Sequence, residues 1–170
     1  MKKIRTALIS VSNKKDLKPL LTILKKNRIK LISSGGTFKE IKKHKFDCLE
    51  VSEYTGSKEI LEGRVKTLHP KIHAGILNKR NNKKHKRDLV KNNFQNIDLV
   101  IVNFYPFEET LKQTNNHDKI LENIDIGGPA MVRAAAKNYN DVVVITSPNN
   151  YSDLINELNK NKGSTSFNFR

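Results

Sequence analysis

Residues Gly63 to Leu77 gather one arginine, two lysines and two histidines around a proline and two glycines. Proline lacks a backbone donor and glycine is entropically costly in regular structure, so this is poor material for a helix interior or a central strand. It suits a cationic loop that holds an anion. Arg64 and Lys66 lie two apart, so in extended chain both point to one face. The planar fork of Arg64 fits phosphate or carbonyl oxygens, and Lys66 can carry a proton when partly desolvated. The plainer alternative is a surface pair of charges. His69 and His73 are four apart, but with no helix expected there and no glutamate in zincin fashion, they predict no metal site.

Two further polar, glycine-bearing stretches point to the same chemistry. Ser33-Ser34-Gly35-Gly36-Thr37 follows a strand and opens a helix, so backbone N–H groups and hydroxyls of Ser34 to Thr37 could cradle a phosphate. Ser10, Ser12 and Lys14 at a neighbouring strand end strengthen that reading. Glu122 to Pro129 places Asp125 just before Gly127-Gly128-Pro129, where its carboxylate is either a helix cap or a reacting group. Lys137 lies at the far end of the helix that follows, about 13 Å of rise from Gly128. It therefore meets Asp125 only if the entrance loop folds back along the helix. Tyr105 stands just beyond a buried strand and is either structural or a phenol in the cleft.

The elements that must position these residues alternate. Strands are expected at Ile4–Val11, Ile29–Ile32, Asp47–Val51, Ile97–Phe104 and Asp141–Thr146. Helices are expected from an Asn13 or Asp16 cap to Lys26, and at Phe38–Lys43, Asn82–Asn93, Phe107–Gln113, Asp118–Glu122, Pro129–Lys137 and Pro148–Lys160. One or two helical turns are expected at Ser57–Glu62. Strand, glycine turn, helix, strand is the rhythm of parallel βαβ units, and the nearly continuous apolar run at 97–104 signals burial on both sheet faces. In such sheets ligands bind at the carboxyl ends of strands, here Ser10–Lys14, Ser34–Thr37, Asn103–Tyr105 and the segment after Thr146.

Composition narrows the partners. The 170 residues, without repeat or linker, read as one domain spanning 1–170. The net charge is +15, but the lysines are scattered among asparagines, and the densest run (79–91) reads as one solvated helix face. An anionic small substrate is preferred over nucleic acid. The single cysteine, Cys48, allows no internal disulfide, fits a reducing cytoplasm and is read as packing. No segment approaches the ~20 apolar residues that span a bilayer, and no membrane partner is expected.

Val11-Ser12-Asn13-Lys14, Ser34-Gly35-Gly36-Thr37, Gly63 to Leu77, Asn103-Phe104-Tyr105-Pro106-Phe107 and Asp125 to Asn138 together resemble the IMP cyclohydrolase domain family. This is the amino-terminal half of a bifunctional purine-biosynthesis protein whose other half is AICAR transformylase. The likeness runs through nearly all of the chain in order. It implies a methylglyoxal-synthase-like, three-layer α/β/α fold with a mainly parallel sheet, and closure of formyl-AICAR to IMP with loss of water. No cofactor is implied. The family also implies a homodimer and native fusion to the transformylase domain, absent from these 170 residues.

By the same resemblance, Ser12, Lys14, Ser34 to Thr37, Arg64 to Thr67, Asn103, Asp125 and Ile126 line the nucleotide site. Lys66, Tyr105, Asp125 and Lys137 are the candidates for proton transfer. Adding the strand-end Ser10 and the helix-entry Gly127 completes the expected binding set. Asp125 tied to Lys137 is the expected base or base-orienting pair, with Lys66 and Tyr105 on the formyl oxygen. Two rivals stay open: a methylglyoxal-synthase-type phosphate lyase, and a non-catalytic domain that binds an anionic metabolite.

Overall fold

The computed structural model describes residues 1–170. In chain order its elements are β1 (Lys2–Lys3), β2 (Thr6–Val11), α1 (Leu17–Lys26), β3 (Lys30–Ser33), α2 (Gly35–Lys43), β4 (Leu49–Glu50) and α3 (Val51–Thr55). There follow α4 (Pro70–Leu77), α5 (Lys83–Lys91), β5 (Leu99–Asn103), α6 (Phe107–Gln113), α7 (His117–Glu122), α8 (Gly127–Lys137), β6 (Val143–Ile145), α9 (Tyr151–Lys160) and β7 (Ser164–Thr165). Short 3-10 turns occupy Leu61–Gly63 and Pro148–Asn150.

Five strands form one all-parallel sheet in the order β4-β3-β2-β5-β6, while β1 and β7 pair in a separate antiparallel ribbon. Alternation along each strand divides the core in two. Ala7, Ile9, Val11, Leu99, Ile101, Val143 and Ile145 face α1, α2 and α9, whose Leu20, Leu24, Ile41, Leu154 and Leu158 complete one cluster. Leu8, Ile32, Val100 and Val102 face α3, α4 and α8 through Tyr54, Ile72, Ile76, Met131 and Ala135. Because both faces are covered, the strands read as apolar runs rather than alternating ones. The result is the expected three-layer α/β/α domain. No helix is long and apolar enough to cross a membrane.

Several expectations are corrected. The strand expected at 47–51 is only Leu49–Glu50, because the chain turns into α3 at Val51, whose side chain belongs to the second cluster. Residues 57–60 are irregular, and only Leu61–Gly63 forms a turn. The second half of the cationic stretch is helix α4: Pro70 takes its first position, which needs no amide donor, and Ile72 and Ile76 bury its inner face. Asp16 precedes α1 in a left-handed conformation, and its side chain makes no cap hydrogen bond. Cys48 packs against the first cluster, and burial pushes its thiol up to about 12, so packing is its role.

Candidate functional site

Strand order reverses between β2 and β5, whose successors run outward in opposite directions. A crevice opens at the carboxyl ends of such a pair. Here it is a cavity of about 630 Å³, walled by the residues after β2, the turn into α2, the loop around Lys66 and the segment from α7 into α8. Ser10, Ser12, Lys14, Ser34, Gly35, Gly36, Thr37, Arg64, Lys66, Thr67, Asn103, Tyr105, Asp125, Ile126 and Gly127 all line it.

Each wall has a physical reason for its shape. The turn into α2 begins with Gly35 at φ +55, a left-handed conformation that glycine adopts without steric cost. Ser34 stands at the N-cap but its side chain makes no capping bond, and the first-turn amides of a helix have no acceptor within it. Two ammonium groups converge on this turn. A Cβ added at Gly36 would sit 3.7 Å from Lys14 Nζ, and one added at Gly35 would sit 3.4 Å from Lys66 Nζ. Unsatisfied donors, a helix N-terminus and two cations at one point make an anion seat.

Two expected ligands are already committed. The Thr37 hydroxyl accepts from Val11 N–H and donates to Val11 C=O, both at 2.9 Å, and so ties the glycine turn to the end of β2. Asn103 accepts from Asn13 N–H and donates to Asn13 C=O, both at 2.8 Å, which pins the Ser12–Lys14 loop to β5. Both side chains shape the cavity through these bonds. Ser10 and Ser12 remain half-buried on its wall.

Across the cavity, Asp125 Oδ1 accepts from Gly128 N–H at 2.8 Å, so the carboxylate does cap the entrance of α8 while also lining the site. A Cβ at Gly128 would lie 2.5 Å from Asp125 Oδ2, and one at Gly127 would overlap the Thr67 hydroxyl. The two glycines let α8 start hard against both the carboxylate and the cationic loop. Tyr105 is half exposed at the rim. Arg64 is paired with Glu122 across the mouth, and their mutual hydrogen bond raises the guanidinium and holds the Glu122 carboxyl below its usual range. Lys66 is joined to Glu59 at 2.8 Å.

Lys137 departs from expectation. It is exposed at the far end of the eleven-residue helix α8, does not line the cavity and makes no ion pair or hydrogen bond with Asp125. The Asp125 carboxylate stays at the entrance of α8, bonded to Gly128 N–H, with the rest of the helix between it and Lys137. His69 caps α4 through Nδ1, which accepts from Lys71 N–H at 3.0 Å, and Nε2 of His73 is buried without a partner, its imidazole pushed down by burial. Leu121, Glu122, Ile124 and Glu62 line the cavity although no single-residue signal marked them. Helices α6 and α7 bury none of their residues, so no apolar face announces where they pack.

Residues 16–130 match the family model of the MGS-like domain. The bifunctional purine biosynthesis protein PurH of Prochlorococcus marinus is 52% identical over 95% of this chain, and that of Clostridium acetobutylicum 48% over 92%. In each case the match takes up 32% of the relative, so the chain spans about a third of the length of these proteins. The crystal structure of ForH superposes with a TM-score of 0.81 at 29% identity, covering 94% of this chain and 82% of that one. With the domain match extending over most of the chain and the fold agreeing, the chain belongs to the MGS-like domain family.

Proposed function

We propose that residues 1–170 form an enzyme domain of purine biosynthesis that closes formyl-AICAR to IMP with loss of water. The observation that carries this reading is the single cavity at the β2/β5 reversal. An anion seat made by Gly35, Gly36 and Lys14 shares it with the ammonium of Lys66 and the carboxylate of Asp125. The name and sequence likeness of the PurH relatives support the pathway, and their bifunctional description and threefold length support native fusion to an AICAR transformylase domain. The assignment of a homodimer and of a cytoplasmic setting belongs to the same reading.

The chemistry follows from the substrate. The carboxamide nitrogen attacks the formyl carbon on the same ring, forming a C–N bond while the formyl C=O becomes a carbinolamine hydroxyl. Loss of that hydroxyl as water, with a proton from the nitrogen, completes the ring. Both reacting groups sit on one molecule, so holding them in a near-attack conformer supplies much of the acceleration. The glycine turn and Lys14 hold the 5′-phosphate, and Arg64 and Thr67 bound the site beside it. Asp125 takes the proton from the amide nitrogen, and Lys66 with Tyr105 polarises the formyl oxygen and protonates it as it departs. Lys137, outside the cavity, is given no proton to carry.

The test is direct: purified protein mixed with formyl-AICAR produces IMP, followed by absorbance. IMP bound without any turnover would instead support a metabolite-binding domain. Methylglyoxal formed from dihydroxyacetone phosphate would support the lyase.

A further inference from the structure

Lys66 is held from behind. Besides the large cavity it lines a second, smaller cleft of about 190 Å³, together with Glu59, Ser57 and His69. Its side chain is therefore part of the wall between the two spaces. Glu59 lines only the smaller one, and reaches the ammonium at 2.8 Å without entering the space assigned to the nucleotide. The Lys66 side chain is 20% exposed and that of Glu59 44%.

The backbone is bent to make this contact. Leu61, Glu62 and Gly63 take φ of 50°, 53° and 91° in succession. For the first two this is a conformation L-residues rarely adopt, and such outliers persist where the surroundings enforce them. The bend reverses the chain between Glu59 and Lys66. A Cβ at Gly63 would lie 2.5 Å from Glu59 Oε1 and 3.3 Å from Lys66 Nζ, so only glycine leaves room for the pair. Gly35 clears the other side of the same ammonium.

Two other polar side chains of the cleft, His69 and Ser57, face each other. His69 Nδ1 accepts from Lys71 N–H, so the neutral ring carries its proton on Nε2, 3.2 Å from Ser57 Oγ. A nitrogen bearing a proton cannot activate the serine, and this pair is a brace. Glu59 supplies the charge. The acids that line the large cavity, Glu62, Glu122 and Asp125, make no ion pair with Lys66.

We infer that Glu59 is the positioning residue of Lys66, fixing its ammonium at the junction of the glycine turn and the cavity. A lysine ammonium on a four-carbon stem is mobile, and an ion pair from the side away from the substrate restricts it without blocking the site. The inference rests on the reading of Lys66 as the group that acts on the formyl oxygen.

Glu59→Gln tests it. The expected result is a fall in kcat of about 10- to 100-fold, with KM for formyl-AICAR changed by less than about threefold. Because Lys66 is the group through which Glu59 acts, adding Glu59→Gln to Lys66→Ala should cost no more than about another twofold. A second readout does not need turnover. The rate of Lys66 acetylation by acetic anhydride, measured by peptide mass spectrometry against the exposed Lys119, should rise about fivefold or more in Glu59→Gln as the amine is freed. Turnover within about twofold of the parent, independent losses in the double variant, or an unchanged labelling ratio would each overturn the proposal. So would a lost thermal midpoint large enough to account for the lost activity. If the parent protein does not cyclise formyl-AICAR, the functional reading fails, while the labelling ratio still decides whether Glu59 holds Lys66.

Discussion

At the amino-terminal ends of the strands, Arg80 donates to Asp98 Oδ1 at 3.4 Å and to Ile97 C=O at 2.7 Å, and Arg80 N–H donates to Asp141. Lys2 reaches Asp141 at 2.5 Å, and Asp98 Oδ2 accepts from the N–H groups of Arg5 and Thr6. At the carboxyl ends, Lys14 has no carboxylate partner, Lys66 has one held behind it, and Arg64 pairs only at the exposed mouth. The difference lies in burial. Arg80, Asp98 and Asp141 are 13%, 11% and 8% exposed in their side chains, so each must be satisfied by a neighbour. The cations of the cavity stand where water or a ligand reaches them. One end of the sheet uses charge to close the fold, and the other leaves cations lining an open cavity.

Lys66→Ala should separate the two ends most sharply. It is expected to lower IMP formation by about 10²- to 10³-fold, the scale of losing a proton donor and an electrostatic contact to the reacting oxygen. The thermal midpoint should stay within ordinary scatter. Asp98→Ala should do the reverse, destabilising the protein by about 3 kcal/mol, because it takes the paired carboxylate from a buried guanidinium and the acceptor from two backbone donors. Urea unfolding measures this, and IMP affinity per folded molecule should be unchanged. A loss of affinity without a loss of stability would break the division.

Asp141→Asn gives the smallest effect and a pH signature. Burial opposes the charged form of Asp141, but hydrogen bonds from Lys2 and from Arg80 N–H, with their charges, hold its carboxyl below the ordinary 3.8. A depressed folded value means the stabilisation is complete well above 3.8 and is lost as pH falls through the folded value. The parent should therefore exceed Asp141→Asn by about 1–2 kcal/mol at neutral pH. That gap should narrow under acid, as measured by urea unfolding at both pH values.

Legibility in the sequence followed the range of each interaction. The apolar runs of β2 and β5, the glycine turn after β3 and the leucine spacing of α1 are local patterns, and they mark the layers and the strand ends where the cavity opens. The motif at 63–70 marks the cationic wall through residue types alone. What a polar side chain does there was not local. Thr37 and Asn103 spend their hydrogen bonds on Val11 and Asn13, partners 26 and 90 residues away in sequence. Lys137 is separated from the cavity by the length of α8, whose far end it occupies. The expected strand at 47–51 yields to α3 because Val51 and Tyr54 are needed in the second core cluster.

The sequence by itself determined the kind of layered fold and the polar loops that stand at its strand ends, because backbone preference and apolar periodicity act over a few residues. The three-dimensional packing decided which of those polar groups remain available. Hydrogen bonds and ion pairs are made between segments far apart in the chain, and only folding determines which donors and carboxylates come within 3 Å of one another.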